Sequence, residues 1–316
     1  MTQIPGIAFQ ILQSMFVVLA APLLMGWVNQ CRAWLQNRSA PSILLPYYTL
    51  AKLFHKDAVI ARNASPLFHL TPYVLFGCMW LAAGIVPVLA TDLPFAPAAD
   101  IIALVGVFAL ARVFSALAAM DIGTPFGGLG ARREMLIGFL AEPAMLMTLF
   151  TAAFISGSTQ LTTIVETLAR REFAIYPSLA FAAVAFLMVL LAENARIPID
   201  NPTTHLELTM IHEATILEYS ARHLALIEWA MAIKLFAYMT IGIALFLPWG
   251  IAETGNWAAL PLAFAALAVK LTFAGAGLAL IETVFAKLRL FLAPEFLSTA
   301  FLLAVLGMLT HFLLLT

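Results

Sequence analysis

Eight apolar stretches, each near 20 residues long, dominate this 316-residue chain, at about 7–29, 67–90, 101–120, 135–156, 174–192, 224–247, 258–281 and 296–315. A helix rising 1.5 Å per residue needs about 20 residues to cross a hydrocarbon layer of ~30 Å. Lipid offers no partner to backbone N–H and C=O groups, so only helices and closed barrels span it. Segments of this length read as helices. The expected fold is therefore an all-α integral membrane protein, a bundle of about eight transmembrane helices forming a single transmembrane domain over residues 1–316. Composition agrees, since 63% of the chain is hydrophobic and 10% charged, against roughly 25% charged in soluble domains. Pro22, Pro143, Gly275 and Gly277 fall inside the stretches, and membrane helices tolerate them when neighbours satisfy the freed backbone groups.

Charge decides the orientation. Sixteen Lys and Arg stand against seventeen Asp and Glu, so no basic field exists to recruit nucleic acid, and the lipid bilayer is the expected surroundings. The segments after spans one, three, five and seven hold eleven Lys and Arg; the opposite side holds only Arg170 and Arg171. Basic loops stay in the cytoplasm, which predicts periplasmic termini in a bacterial inner membrane. The first charge in the sequence is Arg32, so the first stretch lacks the basic start of a signal peptide and reads as a retained helix.

Two cytoplasmic loops are longer than helix connections usually are. Residues 30–66 carry Tyr47, Tyr48, Leu50, Leu53 and Phe54 beside Lys52 and Lys56, the pattern of an amphipathic helix lying at the membrane interface. Residues 193–223 carry Glu193, Asp200, Glu207, Glu213 and Glu218 with His205, His212 and His223. Carboxylates crowded in low dielectric repel when ionised, so some are expected to stay protonated and to suit proton relay. An ordinary solvated acidic loop is the plainer alternative.

Four charges lie at depth: Arg112, Glu142, Lys234 and Lys270. A charge at the bilayer centre costs at least ~2.5–3.5 kcal/mol on insertion scales. All four are expected to face the bundle interior and one another, either as a hydrated proton path or as pairs that only fix packing. Other motifs carry less. His212-Glu213 opens like a metalloprotease signature, but Ile216 stands where the second His belongs. Cys31 and Cys78 have no ligand partners at metal spacing, so no metal or iron–sulfur site is expected in this chain. The run Gly127-Gly-Leu-Gly130 reads as a flexible turn, and Gly275 and Gly277 as points of close helix contact.

The stretch from Glu193 to Asp200 (ENARIPID), then Pro202, Glu207-Leu208 and Glu218-Tyr219-Ser220, resembles the acidic loop of the eight-helix subunit 1 family of respiratory complex I. That family includes the corresponding subunits of formate hydrogenlyase, hydrogenase-4 and other energy-converting NiFe hydrogenases. Arg38 and Pro41, Tyr47, Lys52-Leu53, Arg112, Asp121 to Phe126 (DIGTPF), Gly130, Arg133-Glu134, Glu142-Pro143, Lys270, Glu282, Leu288-Arg289-Leu290 and Pro294 extend the likeness along nearly the whole chain. The Asp121–Pro143 portion resembles the hydrogenase branch in particular. Ala40, Thr49, Thr203, His205 and Ala221 depart from the usual residues of the family.

The resemblance implies a membrane subunit, without a redox centre of its own, that docks a peripheral electron-transfer arm and joins it to antiporter-like membrane subunits that move protons. The arm would bring iron–sulfur clusters and a NiFe catalytic subunit. Arg38, Lys52, Arg132, Arg133 and Arg289 are the expected docking rim. Glu142, Arg112, Glu193, Asp200, Glu207, Glu213, Glu218, Lys234 and Lys270 are the expected proton path. Two alternatives remain: a quinone-binding subunit, in which the two long loops wall a quinone cavity, and a stand-alone secondary transporter, against which the lack of a visible inverted repeat weighs.

Overall fold

A computed structural model describes residues 3–87, 89–91, 98–170, 177–200, 210–251, 260–286, 288 and 292–315. Among them run eleven helices: α1 (Gln3–Leu35), α2 (Leu45–Phe54), α3 (Pro66–Ile85), α4 (Ile101–Asp121), α5 (Pro125–Ser156), α6 (Leu161–Arg170), α7 (Pro177–Glu193), α8 (His212–Ile216), α9 (Ala221–Phe246), α10 (Leu260–Val284) and α11 (Ala293–Leu315). Seven are long and apolar enough to cross a membrane, and the shorter α7 is equally apolar. The eight predicted spans correspond to α1, α3, α4, α5, α7, α9, α10 and α11. The interfacial helix expected in the first loop is α2, with Leu50 turned inward and Tyr48, Lys52 and Phe54 outward. The amphipathic α6, with Leu161, Ile164, Val165 and Leu168 buried against the bundle, was not anticipated.

Helix ends follow from their sequences. Asp100 caps α4 by accepting Ile102 N–H at 2.7 Å, and Ser65 accepts from Leu67 at the start of α3, followed by Pro66. The DIGTPF segment is punctuation of the same kind. Asp121 ends α4 and accepts Ser65 N–H at 2.8 Å, Gly123 takes a positive φ, Thr124 accepts from Gly127, and Pro125 opens α5. The glycine run read as a turn is therefore the first turns of α5. Gly130 sits so close to Ala214 that a side chain there would meet its Cβ at 2.9 Å, and this approach seats α8 on α5. Gly275 likewise admits Trp27 of α1, while Gly277 faces open space.

The connections sort to two faces. On one, Val59 bonds Ser220, Ser65 bonds Asp121 and Leu288 bonds Pro198, which ties the four basic loops together. On the other, Gln10 and Gln13 of α1 bind the end of α3, and the backbone at Ala99 and Ile101 pairs with that at Leu161 and Thr159. This alternation is what eight crossings require.

Two prolines reveal how the bundle is fastened. A proline inside a helix frees the carbonyl four residues earlier. Pro22 frees Val18 O, which accepts Trp229 Nε1–H at 2.8 Å. Pro72 frees Phe68 O, which accepts the Tyr219 hydroxyl at 3.1 Å, while the Tyr219 and Phe68 rings stack with centroids 3.9 Å apart. Burial pushes the Tyr219 hydroxyl well above its ordinary pKa, so it remains a donor. Ser220 beside it both donates to and accepts from the Val59 backbone. The Tyr219-Ser220 pair is thus a clamp joining the two long loops to α3.

Tyr219→Phe keeps the stacked ring and removes the donor, so the thermal midpoint in detergent should fall by the equivalent of ~1–2 kcal/mol. In a Pro72→Ala background the restored N–H serves Phe68 O, and the same substitution should cost almost nothing. Equal losses in both backgrounds would contradict the pairing.

Candidate functional site

Four helices bring charges to a common point. α4 supplies Arg112, α5 Glu142, α7 its last residue Glu193, and α9 Lys234. Arg112 donates through Nη1 to Glu142 and through Nη2 to both carboxylate oxygens of Glu193. Its Nε lies 3.9 Å from Glu134. Lys234 Nζ donates to Glu193 Oε2 at 2.9 Å and to the Glu193 carbonyl at 2.7 Å. It also stands 5.9 Å from the Tyr238 ring centre. The side chains of Glu193 and Arg112 are only 1% and 4% exposed, whereas Glu142 is 32% exposed.

Local sequence explains how this network fits. A Cβ on Gly138 would lie 2.3 Å from Arg112 Nη1, so only glycine leaves room for the guanidinium between α4 and α5. The planar fork of arginine can serve two carboxylates at once, which a lysine cannot do. Glu193 takes up both cations, and its burial is tolerable because of them.

A second ionic group lies nearer the loops. Glu282 of α10 accepts from Arg196 at 3.0 Å and from Arg32 at 3.5 Å. Both groups border one cavity of about 390 Å³. Its charged lining comprises Arg32, Arg112, Arg196 and Lys234 against Glu134, Glu193, Asp200, Glu213, Glu228 and Glu282. Leu50, Leu75, Met79 and Phe108 form its apolar part. Among the described lining residues, six carboxylates stand against four cations, a balance that favours protons and water-borne cations over anions. It extends from the loop face to mid-depth, where Lys234 and Arg112 stand.

The structure sorts the sequence-predicted residues. Arg112, Glu142, Glu193 and Lys234 form the network, and Glu193, expected in a loop, is instead buried at the end of α7. Asp200 and Glu213 reach the cavity. Asp200 accepts the Ile211 and His212 N–H groups at 3.2 and 3.0 Å, so it also holds the start of α8. Glu218 sits in the turn after α8 and does not line the cavity. Of the described acids in this stretch, Glu193, Asp200 and Glu213 share the cavity and Glu218 stands apart. Lys270 is not part of the network. Its Nζ reaches the carbonyls of Leu247, at 2.6 Å, and Trp249 past the end of α9, on the face away from the loops.

Arg38, Lys52 and Arg132 are exposed on the loop face, but Arg133 is half-buried. Its guanidinium donates to Met210 O at 2.9 Å, which anchors the loop backbone and takes it off the expected rim. Glu207, His205 and Arg289 lie outside the described residues. Sequence reasoning gave no role to Glu228, Arg32, Arg196 or Glu282. Glu228 was visible as a carboxylate six positions before Lys234, and Arg32 and Arg196 had been counted only as loop charges.

Removing one member of a buried pair costs about 3–5 kcal/mol. Lys234→Met should therefore lower the unfolding midpoint sharply. Lys234→Met with Glu193→Gln should recover part of the loss, because the excess negative charge goes with the carboxylate. A double variant as unstable as the sum of the singles would refute the pairing.

Comparisons with known proteins identify the family and the fold. Residues 8–313 match the family described as NADH dehydrogenase. Formate hydrogenlyase subunit 4 of Escherichia coli (strain K12) is 32% identical over 92% of this chain and 94% of its own length. Hydrogenase-4 component C of the same organism is 34% identical over 95% of this chain and 94% of its own length. A chain in the structure of the membrane-bound sulfane sulfur reductase, an archaeal respiratory membrane complex, shares the fold with a TM-score of 0.80. It is 19% identical, and the match covers 96% of this chain and 99% of that one. A whole-length family match, two relatives above 30% identity and eight apolar helices lead to one conclusion: this chain is a multi-pass membrane protein of the NADH dehydrogenase subunit 1 family.

Proposed function

We propose that this chain is the membrane subunit that seats a peripheral electron-transfer arm and links it to proton translocation, in a complex of the formate hydrogenlyase or hydrogenase-4 type. The observation that carries the reading is the continuous run from the loop-face cavity to mid-membrane. Asp200, Glu213 and Glu228 border the cavity, Glu193 adjoins it, and Arg112 passes the connection to Glu142. Charge arriving near the loops alters the electrostatic balance of this series, and in low dielectric such an effect reaches the next carboxyl strongly. Proton uptake at Glu142 is then the output. Coupling of this kind operates through two arrangements of the network, which the arm biases.

The loop face is the cytoplasmic one in this reading, by the distribution of Lys and Arg, and both termini lie in the periplasm of an inner membrane. Arg38, Lys52 and Arg132 are the exposed cations available to an acidic partner surface there. They set orientation and association rate more than affinity. The iron–sulfur clusters and the NiFe centre belong to partner subunits.

The same cavity supports a second reading. Its apolar wall of Leu50, Leu75, Met79 and Phe108 opposite Arg112 and Lys234 has the two-sided chemistry of a quinone site. Saturable binding of a quinone analogue to the purified complex would favour it, and hydrogen evolution without any quinone requirement would favour the hydrogenase reading.

Glu142→Gln in the intact complex should lower the proton gradient formed per electron by at least about tenfold, as expected when a proton-transfer group is lost. Lys270→Met, outside the network, should leave that ratio unchanged. Unaltered electron transfer together with an unaltered gradient in Glu142→Gln would end the proposal.

A further inference from the structure

The charges of the buried network do not balance. Among the described residues, Glu134, Glu142 and Glu193 face Arg112 and Lys234, three acids against two cations. Four of these five side chains are enclosed by the bundle or border the cavity. Glu142 alone does neither: its side chain is 32% exposed and absent from the cavity lining, while its Oε1 accepts from Arg112.

Helical geometry shows where it emerges. Residues of α5 three and four apart share a face, and Glu142 follows Phe139, which is 77% exposed, with Met135 and Leu136 exposed beside it. Across the groove, α4 presents Leu110, Val113 and Leu117, also exposed. Fourteen residues separate Glu142 from the end of α5 at Ser156, about 21 Å at 1.5 Å per residue. The partly exposed Glu142 side chain therefore lies beside an apolar outer face at hydrocarbon depth. Beyond its bond to Arg112, lipid tails offer the exposed part of this side chain no further polar partner.

We infer that the outer α4–α5 face is a docking surface for a membrane helix of a partner subunit, and that this helix places a cationic side chain, Lys, Arg or protonated His, opposite Glu142. The inference deepens the proposed assembly role and rests on it. Charge complementarity selects this occupant over lipid: one further positive charge neutralises the network, and the apolar rim of Phe139, Leu136 and Leu117 excludes water around it. The partner's cation then sets how readily Glu142 takes or releases a proton, so the contact is also the point where the network hands over to its neighbour.

The test uses the complete complex in native membranes, with a photo-crosslinking phenylalanine analogue at position 139. The expected adduct is with a membrane-spanning segment of another subunit that carries Lys, Arg or His within one helical turn of the attachment point. Adducts with lipid alone, or with a segment lacking a basic residue there, overturn the inference. So does failure to form a protein adduct with the probe at positions 136 and 117 as well. A second arm introduces Glu142→Gln, which strands the partner's cation and should reduce recovery of that subunit after detergent extraction by at least about tenfold. Neutralising the basic residue in the same background should restore it, and unchanged recovery in Glu142→Gln counts against the pairing. Adduct formation is read without any proton movement. Loss of the coupling reading would thus leave a Phe139 adduct intact, whereas loss of the adduct would leave the coupling measurement to stand by itself.

Discussion

A single carboxylate organises this membrane domain. Glu193 ends α7 inside the bundle, where an isolated charge would cost several kcal/mol, and it is held there between Arg112 from α4 and Lys234 from α9. Removing either cation leaves the other partners mismatched, so the packing of four helices depends on one electrostatic arrangement. The same dependence gives the site its capacity for change. A proton gained or lost at any member alters the balance for all, because low dielectric strengthens each interaction.

The loops serve this arrangement from one side. Tyr219 and Ser220 fasten the two long loops to α3, Arg133 holds the Met210 backbone, and Asp200 caps α8. These contacts fix the cavity wall that carries Glu213 and Glu228. Several residues that look functional in the sequence therefore act by positioning. The opposite face is fastened more simply, by Gln10, Gln13 and the amphipathic α6, and there Lys270 holds the carbonyls beyond α9.

What could be read from the sequence follows the physics of lipid. Hydrophobic length revealed the eight crossings, and the cost of a buried charge singled out Arg112, Glu142 and Lys234. Depth along a helix is legible in sequence, but direction around it is not. Lys270 has the same depth signature as Lys234 and reaches different partners, because its flexible stem follows the free carbonyls after α9. Glu193 was assigned to a loop because it follows an apolar run, and only packing shows that the cavity begins inside the helix end. Glu282 and Arg196 stand near span ends, where a charge ordinarily meets headgroups. Their pairing depends on the contact between the loop after α7 and the end of α10, which no local pattern encodes. Family resemblance marked many of the same positions without separating Tyr219, which fastens, from Glu193, which carries charge.

Redox-induced infrared difference spectroscopy on the intact complex in lipid addresses the account at its centre, since it observes carboxyl protonation directly as the peripheral arm is reduced. A carboxyl band that appears on reduction, disappears in Glu193→Gln and Glu142→Gln, and persists in Lys270→Met is the predicted result. A spectrum indifferent to both glutamate substitutions would contradict the account and leave the buried network a purely architectural feature.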